Sequence, residues 1–250
     1  NENKVLACVD RSHFADTVAD AAAWAAARID APLEFLHVID RHPEIGSGED
    51  HSGAIGIDAQ EQLLKTLSER DAEQAIKRRE EGRLFLNRLR ERALAAGAPR
   101  ADVRQRYGEL EESLAEQEDG VRLFVLGRRG ESAETTQRDL GRNVERVVRA
   151  LHKPILTVTE NFTAPQRFMI AFDGGMVTRR GIEMVATSPL FKGLPCHIVM
   201  SGKAAADAPK HLAWAKETLT QASFEVSIQH TPGDAETVIV DVAMPRSLHG

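Results

Sequence analysis

Short apolar runs alternate with longer amphipathic segments along the first part of the chain. The run at 5–9 is continuous and bounded by the polar residues Lys4 and Asp10, as in a strand buried on both faces. The next segment repeats apolar residues at helical spacing. This alternation predicts a parallel sheet covered by helices on both sides. The predicted strands are 4–9, 33–39, 102–107, 122–127 and 155–159, and the predicted helices are 14–29, 58–97, 110–119 and 141–151.

The same pattern begins again after "TENFTAPQ" (159–166), which has the composition of a linker. In both parts the first apolar run ends at an aspartate, Asp10 and then Asp173. The second part contains nothing that matches the fourth strand, last helix or fifth strand of the first. We therefore predict two domains, 1–160 and an incomplete copy at 166–250. Its predicted strands are 167–172, 196–200 and 224–229, and its predicted helices are 178–187, 208–222 and 234–243.

Composition narrows the class of protein. Hydrophobic residues make up 42% of the 250 residues, enough for a core, and the net charge of −6 argues against a nucleic-acid binder. No apolar stretch approaches the roughly 20 residues that span a bilayer, and no leader precedes residue 1, so we expect neither a membrane partner nor secretion. Cys8 and Cys196 lie inside apolar runs and are interpreted as buried reduced thiols, which predicts a cytoplasmic location.

Glycines mark the end of the fourth predicted strand. Parallel strands present their carboxyl ends along one edge, where ligands bind in such sheets. Gly127, Arg128, Arg129 and Gly130 are expected to form a turn that lets backbone approach a ligand closely. Gly141 then opens a helix, whose first N–H groups favour an anion.

Asp10 ends the first predicted strand at the same edge of the sheet. Its carboxylate could accept hydrogen bonds from a ribose or an adenine amino group, or help to hold Mg²⁺. An ordinary turn remains an alternative interpretation of the glycines, because neither the P-loop pattern nor the GxGxxG fingerprint is present.

Several stretches together resemble a known family. "VLACVD", "LHVID", "LGRRG" and "LGRNVERVVRALHKPILTV", with the repeated pattern, resemble tandem universal stress proteins. The resemblance implies a Rossmann-like fold, a five-stranded parallel open sheet between helices, duplicated here with an incomplete second copy. Members that bind ATP carry G-x2-G-x9-G-[ST]. The resemblance places the first-strand aspartate on Asp10 and the adenine-side contact on Val38.

The phosphate loop implied by the resemblance departs from the family pattern in two ways. Ten residues rather than nine separate Gly130 from Gly141, and Arg142 follows where the motif has Ser or Thr. Arg142 could replace the hydroxyl with a charge-assisted contact, or it could point away or fill the pocket. Asn143 could supply the polar contact. The implied nucleotide-binding residues are Asp10, Val38, Gly127, Arg128, Gly130, Gly141, Arg142 and Asn143.

Three functions follow as hypotheses. The first is a stress-response regulator that binds ATP or a related adenine nucleotide, with Mg²⁺ as a possible companion, in its first domain. The second is a scaffold that binds no nucleotide and works through dimerisation or partner contacts. The third, an adenylating or phosphotransfer enzyme, lacks a catalytic motif, so any hydrolysis is expected to be slow and incidental. The apolar fifth strand at 155–159 predicts a homodimer paired through a sheet edge, unless the linker or part of the incomplete second domain covers that edge.

Overall fold

The computed structural model describes residues 3–39, 57–128, 142–159, 161–202 and 207–243, without the side chains of 57–71, 142 and 143. The chain forms two compact units, Asn1–Thr163 and Ala164–Gly250. The strands of the first unit are β1 (Lys4–Cys8), β2 (Leu33–Ile39), β3 (Ala101–Tyr107), β4 (Val121–Gly127) and β5 (Ile155–Val158). Its helices are α1 (Ala15–Ile29), α2 (Ile57–Ala95), α3 (Leu110–Ala115) and α4 (Arg142–Ala150).

The first unit is built on a five-stranded sheet in the order β3-β2-β1-β4-β5, and every pairing in it is parallel. The predicted fold class is therefore confirmed. Helices cover both faces, as alternation of strands and helices requires. On one face Leu6, Leu36 and Phe124 pack against Leu114 of α3 and Val147 of α4.

The opposite face of this sheet is covered by α1, which consists largely of alanine. Its alanines at 19, 21, 22, 23, 25 and 26 are completely buried. Small side chains let the backbone of α1 approach its neighbours closely. Two aspartates of α1 then form ion pairs with arginines of α2 and hold the two helices side by side. Asp16 lies 2.8 Å from Arg88, and Asp20 lies 2.6 Å from Arg92.

Helix α3 is shorter than predicted. It ends at Ala115 instead of residue 119, and a 3₁₀ turn follows at Glu118–Gly120. The Gln117 amide donates to the Ser113 carbonyl oxygen at 3.0 Å and closes the last turn. The Glu118 carboxylate then accepts the backbone N–H of Lys153 at 2.8 Å, an interaction with a distant segment that helical periodicity does not reveal.

The second unit contains a three-stranded parallel sheet in the order β6-β7-β8. Its strands are β6 (Phe168–Ala171), β7 (Cys196–Ser201) and β8 (Val226–Thr231), and its helices are α5 (Met176–Thr187), α6 (Ala208–Gln221) and α7 (Ala235–Ala243). Ile182 of α5 and Leu212 and Leu219 of α6 pack with Ile198 of β7 in the core.

Strand registers agree between the two units. Val5 pairs with Leu33 in the first, and Phe168 pairs with Cys196 in the second, so β6 and β7 correspond to β1 and β2. The same interval that separates Val5 from Phe168 separates Asp10 from Asp173. The second sheet therefore matches the β1-β2-β3 half of the first, strand for strand.

Within the described residues, none of the helices is sufficiently long and apolar to cross a membrane. Neither cysteine forms a disulfide, and Cys196 is buried whereas Cys8 is half-buried. Burial raises the pKa of both thiols, that of Cys196 to about 12. A thiol with so high a pKa is protonated at neutral pH, so neither cysteine has the properties of a reactive nucleophile.

Candidate functional site

The order of strands in the first unit defines a switch point between β1 and β4. The chain proceeds from β1 through β2 to β3 on one side, and β4 and β5 then follow on the other side of β1. At such a point the connecting helices leave on opposite faces and open a crevice outside the carboxyl ends of the strands. Asp10 lies two residues after the end of β1, and Arg128 directly follows β4. The two residues therefore flank this crevice.

Register aligns the predicted residues along this edge. Cys8 of β1 lies opposite Leu36 of β2 and Leu126 of β4. Asp10, Val38 and Arg128 each lie two residues beyond that row, so three adjacent strands present them at the same level. The structure therefore brings these predicted residues to one edge of one sheet.

Asp10 forms a tight turn with Ser12. One carboxylate oxygen, Oδ1, accepts the Ser12 backbone N–H at 3.1 Å and also accepts the Ser12 hydroxyl. This is the arrangement in which an aspartate side chain bonds its own backbone two residues on. The Ser12 carbonyl oxygen in turn accepts the Ala15 N–H at 3.2 Å, where α1 begins.

The predicted strand 122–127 and the predicted turn at 127–130 both included Gly127. In the structure Gly127 belongs to β4 and pairs with Val158 of β5, as the strand prediction had it, and the Arg128 N–H donates to the Val158 carbonyl oxygen at 2.7 Å. Both residues therefore belong to the sheet ladder, because β5 is long enough to continue the pairing. Gly130 and Gly141 lie outside the described residues.

Helix α4 begins at Arg142, so Arg142 and Asn143 belong to its first turn. The backbone N–H groups of a first helical turn have no partner within the helix, and the helix dipole makes this end positive. The helix end that follows β4 is therefore suited to a negatively charged group.

An apolar surface lies on the α3 side of the same edge. Val38, Cys8 and Leu110 are partly buried and pack against the cluster that contains Leu126. His37 points to the opposite face, where its Nδ1 lies 3.0 Å from the Val9 carbonyl oxygen and its ring packs edge-on against Phe85. His37 therefore serves packing at the strand end, and Val38 faces the apolar surface.

The corresponding turn of the second unit also forms around its aspartate. Asp173 Oδ1 accepts the Gly175 N–H at 2.8 Å and the Thr178 hydroxyl at 2.5 Å. The Thr178 hydroxyl and the Gly175 N–H hold the pKa of the Asp173 carboxyl below its ordinary value. In both units the strand-end aspartate thus accepts the N–H two residues later and one side-chain hydroxyl.

Side chains from α5 and α6 fill the space over the second turn. Gly174 has a φ of +79°, and a Cβ there would lie 1.9 Å from Nδ1 of His211. Arg179 donates from Nε to the Gly174 carbonyl oxygen at 3.0 Å, and its guanidinium lies 4.3 Å from the Trp214 ring centroid. The backbone that a ligand would need to approach is covered by the unit's own side chains.

Sequence reasoning missed Ser12, Thr178 and His211. A serine two residues after an aspartate is a turn signal and was available in the sequence. The positions of Thr178 and His211 over their turn depend on the packing of α5 and α6, which spacing alone does not give. No cluster of three or more metal-ligating side chains occurs in the part of the chain that the structure describes.

These features define a class of protein, an open α/β sheet with a switch-point crevice lined by an aspartate turn and a helix amino terminus. The model of the universal stress protein family matches residues 2–159. Universal stress protein Slr1230 from Synechocystis sp. (strain ATCC 27184 / PCC 6803 / Kazusa) is 31% identical over 239 residues, covering 94% of this chain and 83% of that protein. The chain belongs to the universal stress protein family, as its sequence resemblance predicted.

A solved structure agrees on the fold. The crystal structure of a universal stress protein from Archaeoglobus fulgidus DSM 4304 aligns with a TM-score of 0.67 at 18% identity, over 97% of this chain and 83% of its own. A universal stress protein solved in complex with cAMP covers 64% of this chain and 100% of its own, at 18% identity and a TM-score of 0.40. At that score the likeness supports no conclusion about ligands of this chain.

Proposed function

We propose that the protein is a stress-response regulator that binds ATP or a related adenine nucleotide in its first unit, with little or no catalysis. The observation that carries the proposal is the switch point between β1 and β4, with Asp10 on one side and the end of β4 on the other. Ligands of open parallel sheets bind at this position. A cytoplasmic location, suggested by the free thiols, and a tandem origin of the two units belong to the same proposal.

The nucleoside would lie on the side of the crevice formed by β1 and β2. The partly buried side chains of Val38 and Cys8 offer an apolar surface for a planar base. Asp10 offers a carboxylate at the same level, which suits the hydroxyls of a ribose or the amino group of adenine. An apolar surface beside one oriented charge is the usual composition of a small-molecule site.

The phosphates would lie on the β4 side. Strand β4 ends there at Gly127, Arg128 follows it directly, and the α4 amino terminus lies at the end of the same connection. The sequence places Gly130 and Gly141 in that connection, and Arg142 in the first helical turn adds a positive charge. Mg²⁺ bound with the nucleotide would be held mainly by phosphate oxygens, as is usual for this ion.

The second unit is proposed to bind no nucleotide by itself. Its Asp173 turn is covered by His211, and Arg179 is engaged with the Gly174 carbonyl oxygen and the Trp214 ring. A ligand would have to displace all of these contacts. The proposal is therefore one nucleotide for each chain.

Substitution of Arg142 tests the phosphate side. We expect Arg142→Ala to weaken ATP binding by about 1.5–3 kcal/mol, the range for a hydrogen bond to a charged group, and to leave adenosine binding unchanged. Arg149→Ala is the matched control, because Arg149 lies in the last turn of the same helix and pairs with Glu145 at 2.8 Å. Calorimetric titration measures both ligands. Tighter ATP binding by Arg142→Ala would mean that Arg142 obstructs the site, and equal affinity would remove it from the proposal.

A second candidate function is a scaffold that assembles through β5 and binds no nucleotide. Strand β5 is the last strand in the order β3-β2-β1-β4-β5. Among the described residues no strand pairs with its other side, which is therefore open to a partner chain. The carbonyl oxygens of Pro154 and Val158 accept the N–H groups of Phe124 in β4 and of Arg128 directly after it. Because backbone groups alternate along a strand, the Thr157 N–H points away from β4, towards the open side. We propose that two copies pair antiparallel along this side.

Replacing Thr157 with proline tests this homodimer. Thr157→Pro removes a donor from the open side and leaves the pairing with β4 intact, so we expect the dimer to dissociate at concentrations where the parent is dimeric. Thr157→Val is the control, since it keeps the N–H and the β-branched shape. Sedimentation velocity reads the oligomeric state. A monomeric parent, or a proline variant with the dimer affinity of the parent, would contradict pairing through β5.

A further inference from the structure

Ser12 is a buried polar residue directly beside the proposed ligand position. Its side chain and backbone are 9% exposed, and both of its donors, the N–H and the hydroxyl, are directed to the same oxygen of Asp10. Its carbonyl oxygen accepts the Ala15 N–H and joins the turn to α1. Ser12 thus connects the orientation of one carboxylate to the start of a buried helix.

We infer that Ser12 is a positioning residue for nucleotide binding, acting through Asp10. This inference rests on the proposed function. The last torsion of an aspartate side chain is broad when nothing restrains it. Two donors on Oδ1 fix that torsion, so the carboxylate meets an incoming ribose or base in one orientation and loses little rotational freedom on binding.

The role of Ser12 is to orient the Asp10 carboxylate, because both donors of Ser12 bond the same carboxylate oxygen. Removal of the Ser12 hydroxyl should therefore weaken binding although the side chain itself touches no ligand.

The second unit provides a matched control for this role. Thr178 donates its hydroxyl to Oδ1 of Asp173 as Ser12 does to Asp10, but the turn it supports is covered by His211. Loss of the Thr178 hydroxyl should therefore affect only the fold of its unit. Comparing variants at Ser12 and Thr178 therefore distinguishes a hydroxyl that only stabilises a turn from one that also supports nucleotide binding.

The experiment measures ATP and adenosine affinity by calorimetry for the parent, Ser12→Ala, Ser12→Thr and Thr178→Val, with the melting temperature of each. We expect Ser12→Ala to weaken both ligands about five- to tenfold, less than the direct loss of a hydrogen bond to a charged group, because Ser12 acts only through the orientation of Asp10. Equal loss for ATP and adenosine is expected because Asp10 serves the nucleoside. Ser12→Thr keeps a hydroxyl and should restore the affinity, and Thr178→Val should leave it unchanged.

A double-mutant cycle with Asp10→Asn shows whether Ser12 acts through Asp10. If it does, Ser12→Ala causes no further loss of affinity in the Asp10→Asn protein, because residues that act as one unit are not additive. Additive losses, or unchanged affinity of a folded Ser12→Ala protein, would overturn the inference and leave the proposed function standing. A parent that binds neither ATP nor adenosine would overturn both.

Discussion

We expect the Gly130→Val substitution to abolish ATP binding while the first unit stays folded. In the proposed site, Gly130 belongs to the connection after β4 where backbone approaches the phosphates. A β-branched side chain would occupy the space of the ligand and would penalise any positive φ. The expected loss exceeds about a hundredfold in affinity, because a steric exclusion removes several phosphate contacts at once.

Gly97→Ala controls for the general cost of replacing a glycine. Gly97 follows α2 with a φ of +99°, and a Cβ there would meet nothing within 4 Å, so the substitution strains backbone without filling a site. We expect it to lower stability and leave ATP affinity unchanged. A folded Gly130→Val protein that binds ATP as the parent does would exclude the glycine connection as the phosphate site.

The second large effect is expected on stability, at Gly174 of the second unit. Gly174→Ala places a side chain at a φ of +79°, which costs about 1–2 kcal/mol, and pushes its Cβ into the His211 ring, which adds about 1–3 kcal/mol. We expect the free energy of unfolding of this unit to fall by about 2–5 kcal/mol, the sum of the two. Gly181→Ala is the control, since it lies within α5 with nothing within 4 Å of a Cβ and should stabilise by about 0.5–1 kcal/mol.

Tryptophan fluorescence can follow the second unit separately. Each unit has one tryptophan, Trp24 in α1 and Trp214 in α6, so a Trp24→Phe background leaves only the second as a reporter. Denaturant unfolding in this background compares the two glycine variants with their parent. Equal midpoints for Gly174→Ala and its parent would mean that His211 moves aside at little cost and does not hold the turn.

The elements of this fold could be predicted from sequence because their signals are local. The strand at 33–39 was predicted with the bounds that β2 has, since this mostly apolar segment follows a proline and precedes a polar stretch of sequence. The Asp10 edge followed from the topology of parallel sheets alone. Local periodicity and the handedness of crossovers therefore gave the architecture.

The rest depended on contacts between distant residues. Gly127 was predicted both as the last residue of a strand and as the first residue of a turn, and its pairing with Val158 on a distant strand decides for the sheet. Two further contacts join separate segments. Asp16 of α1 forms an ion pair with Arg88 of α2, and the His211 ring of α6 packs against Gly174 in the turn after β6. Side-chain spacing in one segment carries no information about which residue of another segment will face it.

The number of nucleotides bound by each chain tests the central claim most directly. Titration of nucleotide-free protein with ATP in a calorimeter should give saturable binding at one site per chain, with the heat lost in Gly130→Val and retained in Gly97→Ala. Absence of binding up to millimolar ATP, or two equivalent sites per chain, would contradict an adenine-nucleotide site confined to the first unit.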